Sequence, residues 1–424
     1  MKKTFALIGL LTYLSGLALP TFCFFAAFYT LFNQNDLLVR IEHGAVGAQD
    51  FVHYYIFGQM AASPDAHQVY NEAAQSRWFH NLVLETKGLV TTRSFWALFT
   101  PMVFPFCLPM AYMSLNQAYI AFVILSAVAL VTCFPLALNA QGKRSFICNA
   151  AIIFCIIANI QGTETISKGQ PAFFLLALES LFFWGWIKKN DWVTGMSVGI
   201  LFFKPHYGLF FLTPIVVARR WRAFLTCVAT TTLLVGLGGL LIGFDNVINF
   251  PRIITHQDTG SCLGMVSLRY VTTRFLSDLQ ALHASLGIMV VGLLLNLVMW
   301  WNGVRQSLNQ TWLICCTVLL CLLASPHTYH YDLLMLGLLA VSISPPQKLH
   351  LTACKISYAI YRPLLFAMPA LSWITLLVFT EKGGIGSSYD PIQSEISIAL
   401  NVALLILALV CSFDKAPTTG SQLQ

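Results

Sequence analysis

Charge is scarce in this chain. Asp, Glu, Lys and Arg make up 10% of its 424 residues, against 57% hydrophobic residues. Soluble domains carry about 25% charged residues, so that class is excluded. Alternating polar–apolar runs of about ten residues are missing, which excludes a transmembrane β-barrel. No Cys-x-x-Cys with paired histidines occurs, so no zinc-site spacing is present. The twelve cysteines do not form a disulfide framework. Cys133, Cys148, Cys155, Cys227, Cys315, Cys316, Cys321 and Cys411 fall within apolar runs, where a thiol behaves as a small hydrophobe; Cys262 sits in a clear polar loop. No internal repeat is visible, which weighs against transporters built from paired halves.

What the chain has instead is a succession of apolar runs of about 17 to 25 residues, long enough to cross a bilayer as helices. The fold class expected is an all-α polytopic membrane protein. The first helix is expected from Phe5 to Leu31, with Lys2 and Lys3 inside; its run is too long for a cleaved signal peptide. Further spans are expected at 116–138, 147–161, 171–187, 192–203, 207–218, 223–243, 285–302, 311–324, 332–345, 363–379 and 396–412, roughly twelve in all. The run 96–113 is broken by Pro101, Pro105 and Pro109 and reads as re-entrant or interfacial. Counting it so keeps Lys143, Arg144, Lys188, Lys189, Arg219, Arg220, Arg222 and Arg305 inside, as the positive-inside rule requires. The net charge of +7 is thus a topology signal, and no nucleic-acid partner is expected.

The first outer loop, 32–95, is the largest polar segment. Its stretches 51–62 and 72–84 have helical patterns punctuated by Ser63-Pro64-Asp65 and are expected to lie on the membrane surface. In this topology the unusual polar residues gather on the outer face: Asp50 and His53; Glu164, Lys168 and Gln170; Lys204 and His206; Arg269; and His327, His330 and Asp332. Charges at membrane depth are costly and mark functional candidates. A carboxylate there can act as general base, and cations can hold a phosphate as it leaves. An outward site has no supply of nucleotide sugars. A lipid-borne donor, a sugar on polyprenyl phosphate, meets these conditions, with the hydrocarbon tail held between helices among membrane lipids.

The order Gln49-Asp50-Phe51 with Tyr54-Tyr55, then Val69-Tyr70, Thr100-Pro101, Lys168-Gly169-Gln170, Gly195 to Phe203-Lys204-Pro205, Arg219-Arg220-Trp221-Arg222 and Ser325-Pro326-His327-Thr328-Tyr329 resembles glycosyltransferase family 87 over about residues 48–335. That family is a branch of the GT-C enzymes, which use polyprenyl-phosphate sugars. The resemblance implies a GT-C bundle with short periplasmic helices in the first loop and a catalytic core over 1–345; beyond it, hydropathy alone gives C-terminal helices with a short tail over 346–424. It implies a hexosyltransferase, mannosyltransferase-like, in the cytoplasmic membrane with its active site facing the exterior. Asp50 takes the place of the catalytic base. Lys204, Arg269 and His327 are the candidates for the donor phosphate. His53, Tyr54, Lys168, Gln170, His206, His330 and Asp332 are the candidates for the rest of the donor and for a lipid or glycan acceptor. The family's late His pair reads Tyr331 and Asp332 here, which leaves open which histidine acts.

No acidic pair is spaced to hold a metal, so metal-independent transfer without a cofactor is expected. Each candidate also has a structural alternative. Asp50 could cap the helix after it, Lys204 could snorkel to the interface, Gln170 could cap the next helix, and Arg269 could lie on a solvated face. As rival functions, a transporter or flippase of lipid-linked glycans would use the same polar mouth, and an inactive scaffold would keep the same fold.

Overall fold

The structure is a computed structural model, and it describes residues 50–85, 97–255, 265–343, 353–361, 364–365 and 391–413. The expected first helix and most of the span 363–379 lie outside these residues. The described part is helical, with one isolated antiparallel bridge between Met265 and Tyr329.

The first-loop helices are α1, Phe51–Ala61, and α2, Glu72–Glu85. The bundle follows with α3, Leu115–Leu138; α4, Phe146–Ala158; α5, Ile160–Lys168; α6, Ala172–Ile187; α7, Asp191–Leu201; α8, Pro205–Val217; and α9, Trp221–Ile242. It continues with α10, Phe244–Thr255; α11, Leu268–Thr272; α12, Asp278–Gln306; α13, Gln310–Ala324; and α14, Pro391–Ser412. A 3-10 helix covers His330–Ile343. Local chemistry sets many of the starts. Ser114 and Gln117 form a capping box on α3, and Asn159, Asn190 and Asn309 accept backbone N–H groups at the starts of α5, α7 and α13. Each supplies an acceptor to donors that have no partner within the helix.

Most helices fall within a few residues of the apolar runs, but length separates them. Among the described residues four are long and apolar enough to cross a membrane: Leu115–Leu138, Trp221–Ile242, Leu279–Gln306 and Ser394–Ser412. The expected spans at 147–161, 171–187, 207–218, 311–324 and 332–345 are apolar helices of 10–17 residues, short of the roughly 20 that a crossing needs. Hydropathy registers apolar residues whether they face lipid or protein. In α13 every residue from Thr311 to Ala324 is buried, so its apolar character serves the protein core. That core contains one polar relay: Asn296 donates to the Phe210 carbonyl (2.9 Å), Thr317 donates to Asn296 (2.9 Å) and Trp300 donates to Thr317 (2.9 Å). Such bonds join helices where the hydrophobic effect does not distinguish neighbour from lipid.

The first-loop helices differ from expectation. α1 is buried nearly throughout, with Phe51 to Gly58 and Met60 all enclosed. It is apolar on every side, so it wedges among other elements instead of lying flat. The turns of Pro101–Tyr112 cover it closely: a Cβ on Gly58 would stand 2.3 Å from the Cys107 carbonyl oxygen. α2 keeps one buried face, Ala74, Gln75, Phe79 and Leu82.

Polar loops collect at two poles. At one, Arg144 donates to the Ala340 carbonyl (3.2 Å), Trp186 to Gln310 (2.9 Å), and Arg220 pairs with Asp191 (2.5 Å). At the other, the N-terminus of α1, the C-termini of α5 and α13 and the α7–α8 turn come together. This is the segregation expected of loops alternating between two membrane faces.

Candidate active site

The α5–α6 turn shapes the second pole. Gly169 ends α5 in the left-handed conformation, φ 65°, which glycine adopts without steric cost. A Cβ there would lie 2.3 Å from the Phe51 Cβ, so glycine is also required for contact with α1. The close approach brings Gln170 to the residue before Phe51: its Nε2 donates to Asp50 Oδ2. Asp50 stands at the N-cap position of α1, yet its side chain makes no capping bond. Its carboxylate turns to Gln170 instead of the helix, and Gln170 caps nothing in α6, whose N-cap is Pro171. Burial is the main influence on the Asp50 carboxyl and raises its pKa above the ordinary value. Lys168, the Gln170 bond and Lys204 work in the opposite direction, while Asp332 adds to the rise.

Lys204 sits between α7 and α8, just before Pro205. Its Nζ pairs with Asp332 Oδ1 at 2.7 Å, and Asp332 Oδ2 accepts from the Tyr329 N–H at 3.1 Å. Asp332 is fully buried; in this arrangement it anchors Lys204. Tyr331 lies between the two lysines, with Lys168 Nζ 6.0 Å and Lys204 Nζ 5.6 Å from its ring centre. Tyr54 stacks on Phe99 at 4.2 Å and lies within electrostatic reach of Asp50 and Asp332.

Arg269 extends the seam. It is 1% exposed, which rules out the solvated-face alternative. Its Nη1 donates to the Pro326 carbonyl (3.2 Å) and meets the His327 ring at 3.4 Å. Its Nε and Nη2 have no hydrogen-bond partner, and it pairs with no carboxylate, among the described residues. A buried cation in this state calls for an anion. Burial, then Arg269, then Lys204 lower the His327 pKa to about 3, so that imidazole is neutral at working pH. His206 lies within reach of Lys204 and His327, with its Nε2 unpartnered among the described residues.

Two candidates sit elsewhere. His53 stacks on Phe79 of α2 at 6.0 Å, and burial lowers its pKa to about 4. It belongs to the α1–α2 packing. His330 is buried behind the seam: its Nδ1 meets Glu164 Oε2 at 2.8 Å and its Nε2 meets Gln161 at 3.2 Å.

Sequence reasoning gave Tyr331 no role and passed over Tyr207 and Glu179. Tyr207 lies beneath Lys204, 5.3 Å from ring centre to Nζ. Glu179 is fully buried in α6, both oxygens without a hydrogen-bond partner among the described residues, within reach of Asp332 and Tyr207. A lone Glu in an apolar run was a readable signal. Among the described residues no three His, Cys, Asp or Glu side chains form a metal-holding group.

The arrangement offers a half-buried carboxylate beside two lysines, then a buried guanidinium, without a carboxylate among the described residues, beside neutral imidazoles. It can take a proton at one end and hold an anion at the other. The sequence profile of glycosyltransferase family 87 matches residues 97–326, more than half of the chain. The match includes Lys168, Gln170, Lys204, His206 and Arg269, begins after Asp50 and stops before His327. No curated protein and no solved structure matches the chain.

Proposed function

The chain belongs to glycosyltransferase family 87 and is a membrane glycosyltransferase, and from that premise we propose that it transfers a hexose, mannose-like, from a polyprenyl-phosphate donor to a lipid-linked or glycan acceptor. The reaction takes place on the outer face of the cytoplasmic membrane. Asp50 is the general base. It takes the proton of an acceptor hydroxyl as that oxygen bonds to the anomeric carbon. The bond from that carbon to the phosphate oxygen breaks, and polyprenyl phosphate leaves with the electron pair. A single displacement inverts the anomeric carbon.

Arg269 receives the phosphate, with neutral His327 and His206 beside it and Lys204 at the edge. The lysine shares itself between Asp332 and the leaving oxygen. Tyr54 and Tyr331 supply ring surface beside the sugar. Lys168, Gln170 and His330 act from behind Asp50. These cations supply the charge that a metal would otherwise bring, so the reading includes metal-independent transfer.

The observation that carries this reading is the Asp50 carboxylate itself: free of its helix, held by Gln170 and within electrostatic reach of Lys168 and Lys204. The test is transfer from synthetic polyprenyl-phosphate mannose, glucose and arabinose to a membrane-lipid extract, by the purified protein and by Asp50→Asn. Transfer by the first and loss of about a hundred-fold or more in the second is expected for a missing base. Equal rates would remove Asp50 from catalysis.

A further inference from the structure

Lys168 is one residue from the Gly169 turn and within electrostatic reach of Asp50, yet the hydrogen bond to Asp50 comes from the neutral Gln170. The lysine is engaged elsewhere. Its Nζ pairs with Glu164 Oε1 at 3.3 Å, one turn back on α5. The other oxygen of Glu164 meets His330 Nδ1 at 2.8 Å, and the far side of that ring meets Gln161. Glu164, Lys168 and His330 are all buried, so each bond is shielded from water.

We propose that Glu164 is a positioning residue for the glycosyl-transfer base: it holds Lys168 on its own side of the Lys168-Gly169-Gln170 turn and leaves Asp50 to a neutral donor. The inference rests on Asp50 serving as the base. A carboxylate locked to an ammonium gives up basicity, because the cation stabilises its charged form. A carboxylate held by an amide keeps its orientation and more of its affinity for a proton. Glu164 is suited to the task because it remains an anion. Burial, the largest influence, opposes its ionisation, but Lys168 and His330 together bring its pKa down to about 2. The charged groups facing Asp50 from neighbouring elements are Lys168 of α5, Lys204 before α8 and Asp332 of the 3-10 helix. Glu164 faces Lys168 on its own helix and His330 of the 3-10 helix.

The test is the pH profile of kcat/KM for Glu164→Gln, Lys168→Met and the double variant, with Asp50→Asn as reference. Glu164→Gln frees Lys168 to turn to Asp50, so the acid limb moves down by about one pH unit and the plateau rate falls. Lys168→Met moves the limb the opposite way. In the double variant the effect of Glu164→Gln vanishes, because the lysine it restrains is gone; a purely structural Glu164 would act alike in both backgrounds. An unmoved limb in Glu164→Gln, or the same shift without Lys168, overturns the proposal. Should Glu164→Gln not fold, Lys168→Met carries the test, and an acid limb like the wild type's overturns it. Activity retained by Asp50→Asn would instead remove the reading beneath it.

Discussion

A carboxylate that burial pushes toward its neutral form binds a proton more tightly than one on an open surface. For Asp50 that sets a pH expectation. As the proposed base it acts when deprotonated, and its pKa is raised. Activity should therefore fall on the acid side through a limb above the ordinary aspartate value of about 3.9. A kcat/KM profile checks it, and a limb at or below that value would count against Asp50. His327, with a pKa of about 3, should add no limb near neutrality. Lys204 and Asp332 form one unit, so their removal should not be additive. Lys204→Met and Asp332→Asn should each lower turnover, and the double variant should be little worse than the weaker single. Independent losses that multiply would show that Asp332 does more than anchor the lysine. The sequence exposed these residues because charges stand out against an apolar background. Their division of labour was not legible: His53 and His330 are both histidines of the same pole, and contacts alone put one on Phe79 and the other on Glu164.

Turns and helix contacts carry the next level. Lys168-Gly169-Gln170 reads as a short polar motif in the sequence. In the fold its glycine meets two demands, a positive φ and contact with Phe51. Gly169→Ala should push the turn off α1, lower stability by about 1–3 kcal/mol and reduce kcat/KM at least ten-fold as Gln170 leaves Asp50. Turnover and thermal midpoint in detergent would show this, and unchanged activity would sink it. Gly195 acts differently. A Cβ there would stand 2.2 Å from the Ala223 carbonyl oxygen, so α7 and α9 touch backbone to backbone. Gly195→Val should lower the thermal midpoint while leaving the acid limb in place, because that contact is remote from Asp50. Most helix positions were legible from hydropathy and cap residues. The packing of α1 was not, since an apolar helix in a polar loop can lie on a membrane or be swallowed by its neighbours.

At the scale of the molecule, the seam draws on residues from 50 to 332 in the chain. Its charges are held by protein groups, and the proposed phosphate site is cationic. Transfer should therefore proceed at an unchanged rate in excess chelator; a loss restored by a divalent cation would overturn the metal-independent reading. The sequence by itself determined the class, a helical membrane protein, because scarce charge and long apolar runs leave a chain few other ways to satisfy its backbone; the order of its polar motifs carried the likeness to family 87. It also placed most of the candidate polar residues on one face, since loops must alternate between two faces. The tertiary structure alone decided that Asp50 turns from its helix to Gln170, that Arg269 is buried without a carboxylate among the described residues, and that Glu164 claims Lys168. Those outcomes depend on distances between segments far apart in the chain, and no local pattern encodes them.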